Sequence, residues 1–468
     1  MKRFFCAIWD HIEYLFIIIL FIGVFYLAFS QGSYAEPVSR ENDPNYYANK
    51  IFDKTHIHTV EVNISDQNLQ NLLDNAVEKS KYHVTTIIDG EKYDDVAFST
   101  RGNGSVGTVQ YDENTDRYNY VLNFKKYNSR QSYHGLDKLI LNGLYFEPSY
   151  LRTALAFMIT NSTGIKAPLF SFVNLYINGE HKGLYLSFEA IDHSYLERTG
   201  ASLDAALFHP VPYDVDYDRQ RRDGQYLADG EELGYYNSHI DSSANTYGGS
   251  DLVYRGEDPS NYNSIFMNAT TKHSRADESL VIDGIESLSE ITLKSPEEYW
   301  DIDALAKFFA ASTIIYNTDS YLGVLAQNYY LQVSNQKLSL IPWDFDRAFS
   351  SNGFEKSSEY DDTAVNWPID APTMGVSTDE RPAWRIISEN PNYLQRYHDA
   401  LQNVIDSYLI SGECQQDLSE LVELIRSYVY DDPTRIYSTE DFENEVKYLD
   451  SYITDRADAI QKQLWNID

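Results

Sequence analysis

The chain has 468 residues, 71 Asp and Glu against 37 Lys and Arg, and a formal net charge of −34. Its 43% hydrophobic content is enough for a packed core, which excludes global disorder, and its length suits one large domain or two ordinary ones. With this acidic balance and no long Lys/Arg run, a nucleic-acid partner is excluded and adhesion to anionic headgroups disfavoured, and any site that handles a polyanion needs metal ions.

Residues 1–36 read as an address. Lys2 and Arg3 make a basic start, and Tyr14 to Phe29 is apolar throughout, a little short of the ~20 residues that span a bilayer. Ser33-Tyr34-Ala35 resembles a small-x-small cleavage site just before Glu36-Pro37. A cleaved signal peptide and an uncleaved anchor both place residues 37–468 outside the cytoplasm. Asp10 and Glu13 lengthen the basic region and favour the anchor. The expected location is therefore the membrane with an extracytoplasmic domain, or the cell surface after cleavage, with membrane contact through this segment only. Residues 37–55, with Pro37 and Asp43-Pro44, read as a linker. Cys6 and Cys414 make neither a disulfide framework nor a zinc site.

From His58 to Ile64 apolar and polar residues alternate, which predicts a strand. Ser65-Asp66 then cap a helix to about Glu78, with Leu69, Leu72 and Leu73 on one face. Strands follow at His83–Ile88 and Tyr93–Thr100 around the turn Asp89-Gly90, then at Tyr118–Phe124 and Lys138–Leu141. Tyr150 to Asn161 reads as a helix. Pro168–Ile177 and Gly183–Glu189 flank Asn178-Gly179, a strong hairpin signal.

Residues 209–265 carry Asp214, Asp216, Asp218 and further acids with little periodicity. An EF-hand reading fails at Arg219 and Gln225, so this stretch reads as a solvated acidic insertion. Pro296 to Tyr316 predicts one helix, and Gln327–Val333 with Lys337–Ile341 a hairpin turning at Asn335. Helical periodicity then covers Tyr393–Leu409, Cys414–Tyr430 and Thr439–Trp465, which either pack on the preceding lobe or support a dimer. Strands first and helices later make an α+β chain, with a mixed or antiparallel sheet in the N-terminal half and room for two lobes.

Chemistry concentrates in Asn317-Thr318-Asp319, Gln327-Asn328-Tyr329 and Trp343-Asp344-Phe345-Asp346. If the last segment stays extended, Asp344 and Asp346 point to one side, and two close carboxylates call for a cation between them. Asn328 offers a neutral oxygen to the same cation, and oxygen ligands imply Mg²⁺, Mn²⁺ or Ca²⁺ rather than zinc. Asp319 ends a helix-to-loop transition, where a general base is often placed. The plain alternative is a set of solvated loop acids. Arg101-Gly102-Asn103-Gly104-Ser105 allows close backbone approach to phosphate, or is simply a turn; it lacks the Gly-Lys-Ser/Thr of a Walker loop. The 11 histidines show no metal-ligand clustering.

In these residues the chain resembles the CotH family, whose members have an atypical kinase-like fold. The likeness runs from about His58 to Leu409 and includes Arg101-Gly102-Asn103-Gly104-Ser105, Arg117 through Phe124, and Asn174 to Glu180 leading to Gly183 to Glu189. The Asn317, Asn328 and Trp343 segments complete it. The resemblance implies a two-lobed protein kinase, residues 56–468, that uses ATP and Mg²⁺ or Mn²⁺ to phosphorylate Ser or Thr of secreted or surface proteins. It gives Asp319 the role of catalytic aspartate and makes Asn328, Asp344 and Asp346 metal ligands. Arg101, Arg117 and Glu189 fall where a nucleotide-contacting base and its acidic partner would lie. Two other readings remain. One is a surface or coat scaffold that shares the fold without catalysis. The other is a glycosidase, which would need carboxylates roughly 5–9 Å apart across a cleft.

Overall fold

The computed structural model describes residues 43, 46–102, 104–212, 248–351 and 360–465, which fall within one unit, Asp43–Asp468. The expected signal or anchor segment lies outside the described residues. Among those described, no helix is long and apolar enough to cross a membrane.

Alternation builds the first sheet. In β1 (His58–Asn63), Val60 and Val62 point inward and Thr59 and Glu61 outward. β2 (Tyr82–Ile88) and β3 (Glu91–Arg101) join through Asp89 and Gly90, at φ 47° and 85°, the left-handed pair a two-residue hairpin needs. β4 (Asn119–Asn123), β5 (Lys138–Asn142), β6 (Phe170–Ile177) and β7 (Glu180–Glu189) follow. Asn178-Gly179 turns the β6–β7 hairpin as expected, at φ 51° and 80°. The strands close into a barrel in the order β1-β2-β3-β4-β5-β7-β6. Closure comes from parallel pairing of β1 with β6, Val60 opposite Leu175, while all other neighbours run antiparallel. The sheet is thus mixed, and it is a closed barrel; strand patterns alone do not carry closure, because it depends on one long-range pairing.

Two cores share one wall. The barrel interior holds Val60, Phe98, Leu122, Leu139, Leu141, Leu175 and Tyr185. From the same strands Ile140, Phe170, Phe172, Leu184, Leu186 and Phe188 point outward into a second core beneath the helices. Being covered on both faces, β7 stays buried from Gly183 to Glu189 with no polar alternation.

The second core also contains an antiparallel sheet, β10-β9-β8, from β8 (Ala206–Phe208), β9 (Tyr329–Ser334) and β10 (Lys337–Pro342). The helix Ile302–Ile315 packs against it, its buried face including Leu305, Phe308 and Phe309. The single helix expected over 296–316 is broken. Trp300 is extended and bridges to Leu338, and Asp301 caps a new helix by accepting from the Ala304 amide at 3.0 Å. The acidic insertion is also shorter than expected. Residues 248–252 are buried, with the Ser250 and Asp251 carbonyls accepting from the Tyr329 and Tyr321 hydroxyls. Asp214, Asp216 and Asp218 lie outside the described residues.

Candidate active site

β3 ends at Arg101, Gly102 takes φ 112°, and a helix starts at Gly104 and runs to Tyr111. The Gly-rich segment is therefore a strand-to-helix connection rather than a free turn. Gly102 and Ser105 line a narrow cleft, so the helix N-terminus borders it with its partial positive charge. Asn119 and Asn142 extend this wall from the barrel ends. Trp343, Asp344 and Asp346, from the loop after β10, form the opposite wall.

Hydrogen bonds weld three segments into that acidic wall. The Trp343 amide donates to the Asn328 carbonyl at 3.0 Å. Asn317 Nδ2 donates to the Asp344 carbonyl at 2.8 Å, and Asn328 Nδ2 to the Asp319 carbonyl at 2.8 Å. The Asn328 amide nitrogen is so committed, and its oxygen is the group it has left to offer. Asp319 follows the helix Ile302–Ile315, which Tyr316 ends in the left-handed region at φ 51°. Its Oδ1 accepts from Gln327 Nε2 at 2.7 Å, and its Oδ2 lies 3.8 Å from Arg347 Nε. Asp344 has φ 56°, so the segment does not stay extended as expected; both carboxylates nonetheless line the same cleft.

Burial raises the pKa of all three aspartates. Asp346 stands well above the usual carboxylate range, pushed first by desolvation and then by the Asp344 charge, with Asp319 and Glu147 adding to it. Asp344 is raised by burial and drawn back by Arg101 and Arg347, and Asp319 is raised by burial and drawn back by Arg347. Acids so placed hold protons, or share a cation that replaces them. Asp344 and Asp346 line the cleft and offer only oxygen, whereas Asn328 and Asp319 are not among its lining residues. The carboxylate pair fits a hard divalent ion such as Mg²⁺ or Mn²⁺ and does not fit a thiophilic one.

Of the three residues assigned to a nucleotide, one is at the cleft. The Arg101 guanidinium lies over Trp343 at 5.2 Å and Phe188 at 6.0 Å from the ring centroids. Arg117 is buried elsewhere: it pairs with Asp432 at 2.8 Å, donates to Thr434 Oγ1 at 2.7 Å, and reaches the Gly143 and Leu184 carbonyls. That guanidinium is fully buried, ties the barrel to the segment before the last helix, and does not line the cleft. Glu189 is also buried, held by Arg198 Nη2 at 2.6 Å and by the Tyr47 hydroxyl, so its cation is Arg198 and neither of the expected arginines.

The sequence reading missed Glu147, Arg347 and the Arg152–Glu445 pair. Glu147 is fully buried and pushed to about 7 by desolvation, against the pull of its Thr153 bonds. Arg152 bonds Glu445 through Nε at 2.8 Å and reaches the Asp346 carbonyl at 3.5 Å, so the helix Thr439–Trp465 braces the acidic loop. Arg347 directly follows Asp346 and was legible as a cation beside the acids. Glu147 carried no local signal.

Comparison with known proteins agrees with the family expected from the sequence. The family described as CotH kinase protein matches residues 98–460. Inner spore coat protein H of Bacillus subtilis (strain 168) is 21% identical over 358 residues, covering 74% of this chain and 86% of that protein. The matched region takes in Arg101, Asp319, Asn328, Asp344 and Asp346, and this chain belongs to the CotH family.

Proposed function

We propose that the chain is a metal-dependent protein kinase that transfers the γ-phosphoryl group of ATP to Ser or Thr of a secreted or surface protein. The observation that carries this reading is the meeting of Asp344 and Asp346 with Arg101 and a helix N-terminus at one cleft, with Asp319 tied to the same loop through Asn328. The family's description as a kinase protein supports it. The coat relative supports a surface location, reached through residues 1–36 as anchor or cleaved signal.

Asp344, Asp346 and the Asn328 oxygen would hold Mg²⁺ or Mn²⁺, which when bound neutralises phosphate charge. Arg101, lying over Trp343, contacts the phosphates. Asp319, oriented by Gln327 and Arg347, accepts the proton of the attacking hydroxyl. Arg347 favours the ionised form that a base requires. On this reading the barrel and the helical part act as the two lobes of a kinase-like fold, with ATP taken up in the cleft.

Incubating the full chain with labelled ATP and Mn²⁺ or Mg²⁺, beside Asp319→Ala and Asp344→Ala, tests the reading. Label falls by about 100-fold or more in each variant if these groups act as proposed. Equal label in all three sinks it. Nucleotide and metal binding without any transfer in the unmodified chain supports the coat scaffold instead.

A further inference from the structure

His56, His58 and Asp89 come together where the chain enters the barrel, each offering one ligand atom within 4.8 Å of the others. The expectation that the histidines do not cluster fails here. The β1–β2 register, Val60 opposite Ile88, brings the Asp89 turn beside the start of β1. The His58 ring is oriented for coordination. Its Nε2 lies 2.8 Å from the Asp53 carbonyl, which can only accept, so Nε2 carries a hydrogen. That leaves Nδ1 facing Asp89 Oδ2 at 2.6 Å. A neutral His58 would set a lone pair against a carboxylate oxygen, so at 2.6 Å a proton lies between them, in the place a metal ion would take. The second Asp89 oxygen accepts from the Thr59 amide at 2.8 Å, which fixes the carboxylate. A ligating histidine held by a backbone carbonyl and a carboxylate held by an amide are the supports metal sites ordinarily have. The His56 ring lies 4.2 Å from that of His58, tilted by 53°, and Asp53 Oδ2 stands 3.7 Å from its Nδ1.

We propose that His56, His58 and Asp89 form a three-ligand binding site for a zinc-class divalent ion, separate from the cleft, with solvent completing the coordination. Two imidazoles, a carboxylate and a water suit tetrahedral Zn²⁺ or Co²⁺, where the all-oxygen cleft suits Mg²⁺ or Mn²⁺. Binding displaces the proton on His58 Nδ1 to solvent, and the His58 ring and the Asp89 carboxylate, 2.6 Å apart, separate to admit the ion. Asp89 lies two residues before β3, whose far end is Arg101, so the two sites are roughly 30 Å apart along the strand. The bound ion would staple residues 56–58 to the β2–β3 turn.

Co²⁺ titration of the full chain, read by visible absorption, tests this. The unmodified chain and the double variant Asp344→Asn/Asp346→Asn both give the intense spectrum of a tetrahedral, nitrogen-ligated ion at one equivalent, and Zn²⁺ bleaches it. His56→Ala and Asp89→Asn weaken binding about tenfold or more and abolish the Zn²⁺-induced rise in melting temperature. His56 is exposed and Asn tolerates the left-handed turn, so neither change threatens the fold, whereas His58 is buried. A weak octahedral spectrum, or equal binding by His56→Ala and Asp89→Asn, overturns the proposal.

Discussion

Glu147→Gln should make the protein more stable, and only above acid pH. Glu147 is fully buried, and its two oxygens accept from the Thr153 amide at 3.0 Å and the Thr153 hydroxyl at 2.6 Å. Its pKa rises from an ordinary 4.5 to about 7, chiefly by desolvation, with the Asp344 charge adding to it. The folded state therefore keeps a proton that the unfolded chain gives up. Stability falls as pH climbs from about 4.5 through about 7, and above that the full penalty of a buried charge is present. At about 1.4 kcal/mol per pH unit the rise corresponds to about 3 kcal/mol. Glutamine copies the protonated acid: its amide hydrogen can meet the Thr153 hydroxyl oxygen, and its oxygen the Thr153 N–H. Urea unfolding of the full chain without divalent ions should give equal stabilities at about pH 4, with the variant ahead by about 3 kcal/mol at about pH 8. Mn²⁺ should narrow that lead, because a cation at Asp344 and Asp346 also favours ionised Glu147. Equal differences at both pH values, or a less stable variant at the higher one, would refute the burial argument.

Arg101→Ala should weaken ATP binding about tenfold or more, measured calorimetrically. Its melting temperature should barely move, since the stacking on Trp343 and Phe188 contributes only about 0.5–1 kcal/mol. Asp432→Ala should do the reverse. It strands the buried Arg117 and should cost about 3–5 kcal/mol in denaturant unfolding, with ATP affinity retained in the fraction that folds. Asp319→Asn should keep ATP affinity while lowering transfer about 100-fold or more, separating the proposed base from the metal ligands. Chelation of divalent ions should bring transfer to background, and Mn²⁺ or Mg²⁺ should restore it.

Local signals were legible where local physics decides. Val60 and Val62 alternate as written, Ser65 caps its helix by accepting from the Asn68 amide, and Asn178-Gly179 turns a hairpin. The acids of the cleft were legible because each sits on a loop that adjoins an element end with its own pattern. Partners far along the chain were not. Arg117 beside a Gly-rich motif suggests a phosphate ligand, yet its carboxylate, Asp432, lies 315 residues on. Glu189 is paired nearby in sequence, but the helix that carries Arg198, His193–Thr199, was not foreseen. Barrel closure and the His58–Asp89 meeting depend on register between strands, which no window of sequence contains.

The wall of β5, β7 and β6 carries a consequence for anyone dividing this protein. A fragment ending at Glu189 would keep every barrel strand and yet turn Phe170, Phe172, Leu184, Leu186 and Phe188 out to water. An apolar surface of that kind drives association, so the excised barrel should aggregate although its own interior is complete. The complementary fragment would lose the lid of its core. Neither half is a module that recombination could pass on alone, and grafting the barrel onto another scaffold would require repainting that outer face with polar residues first.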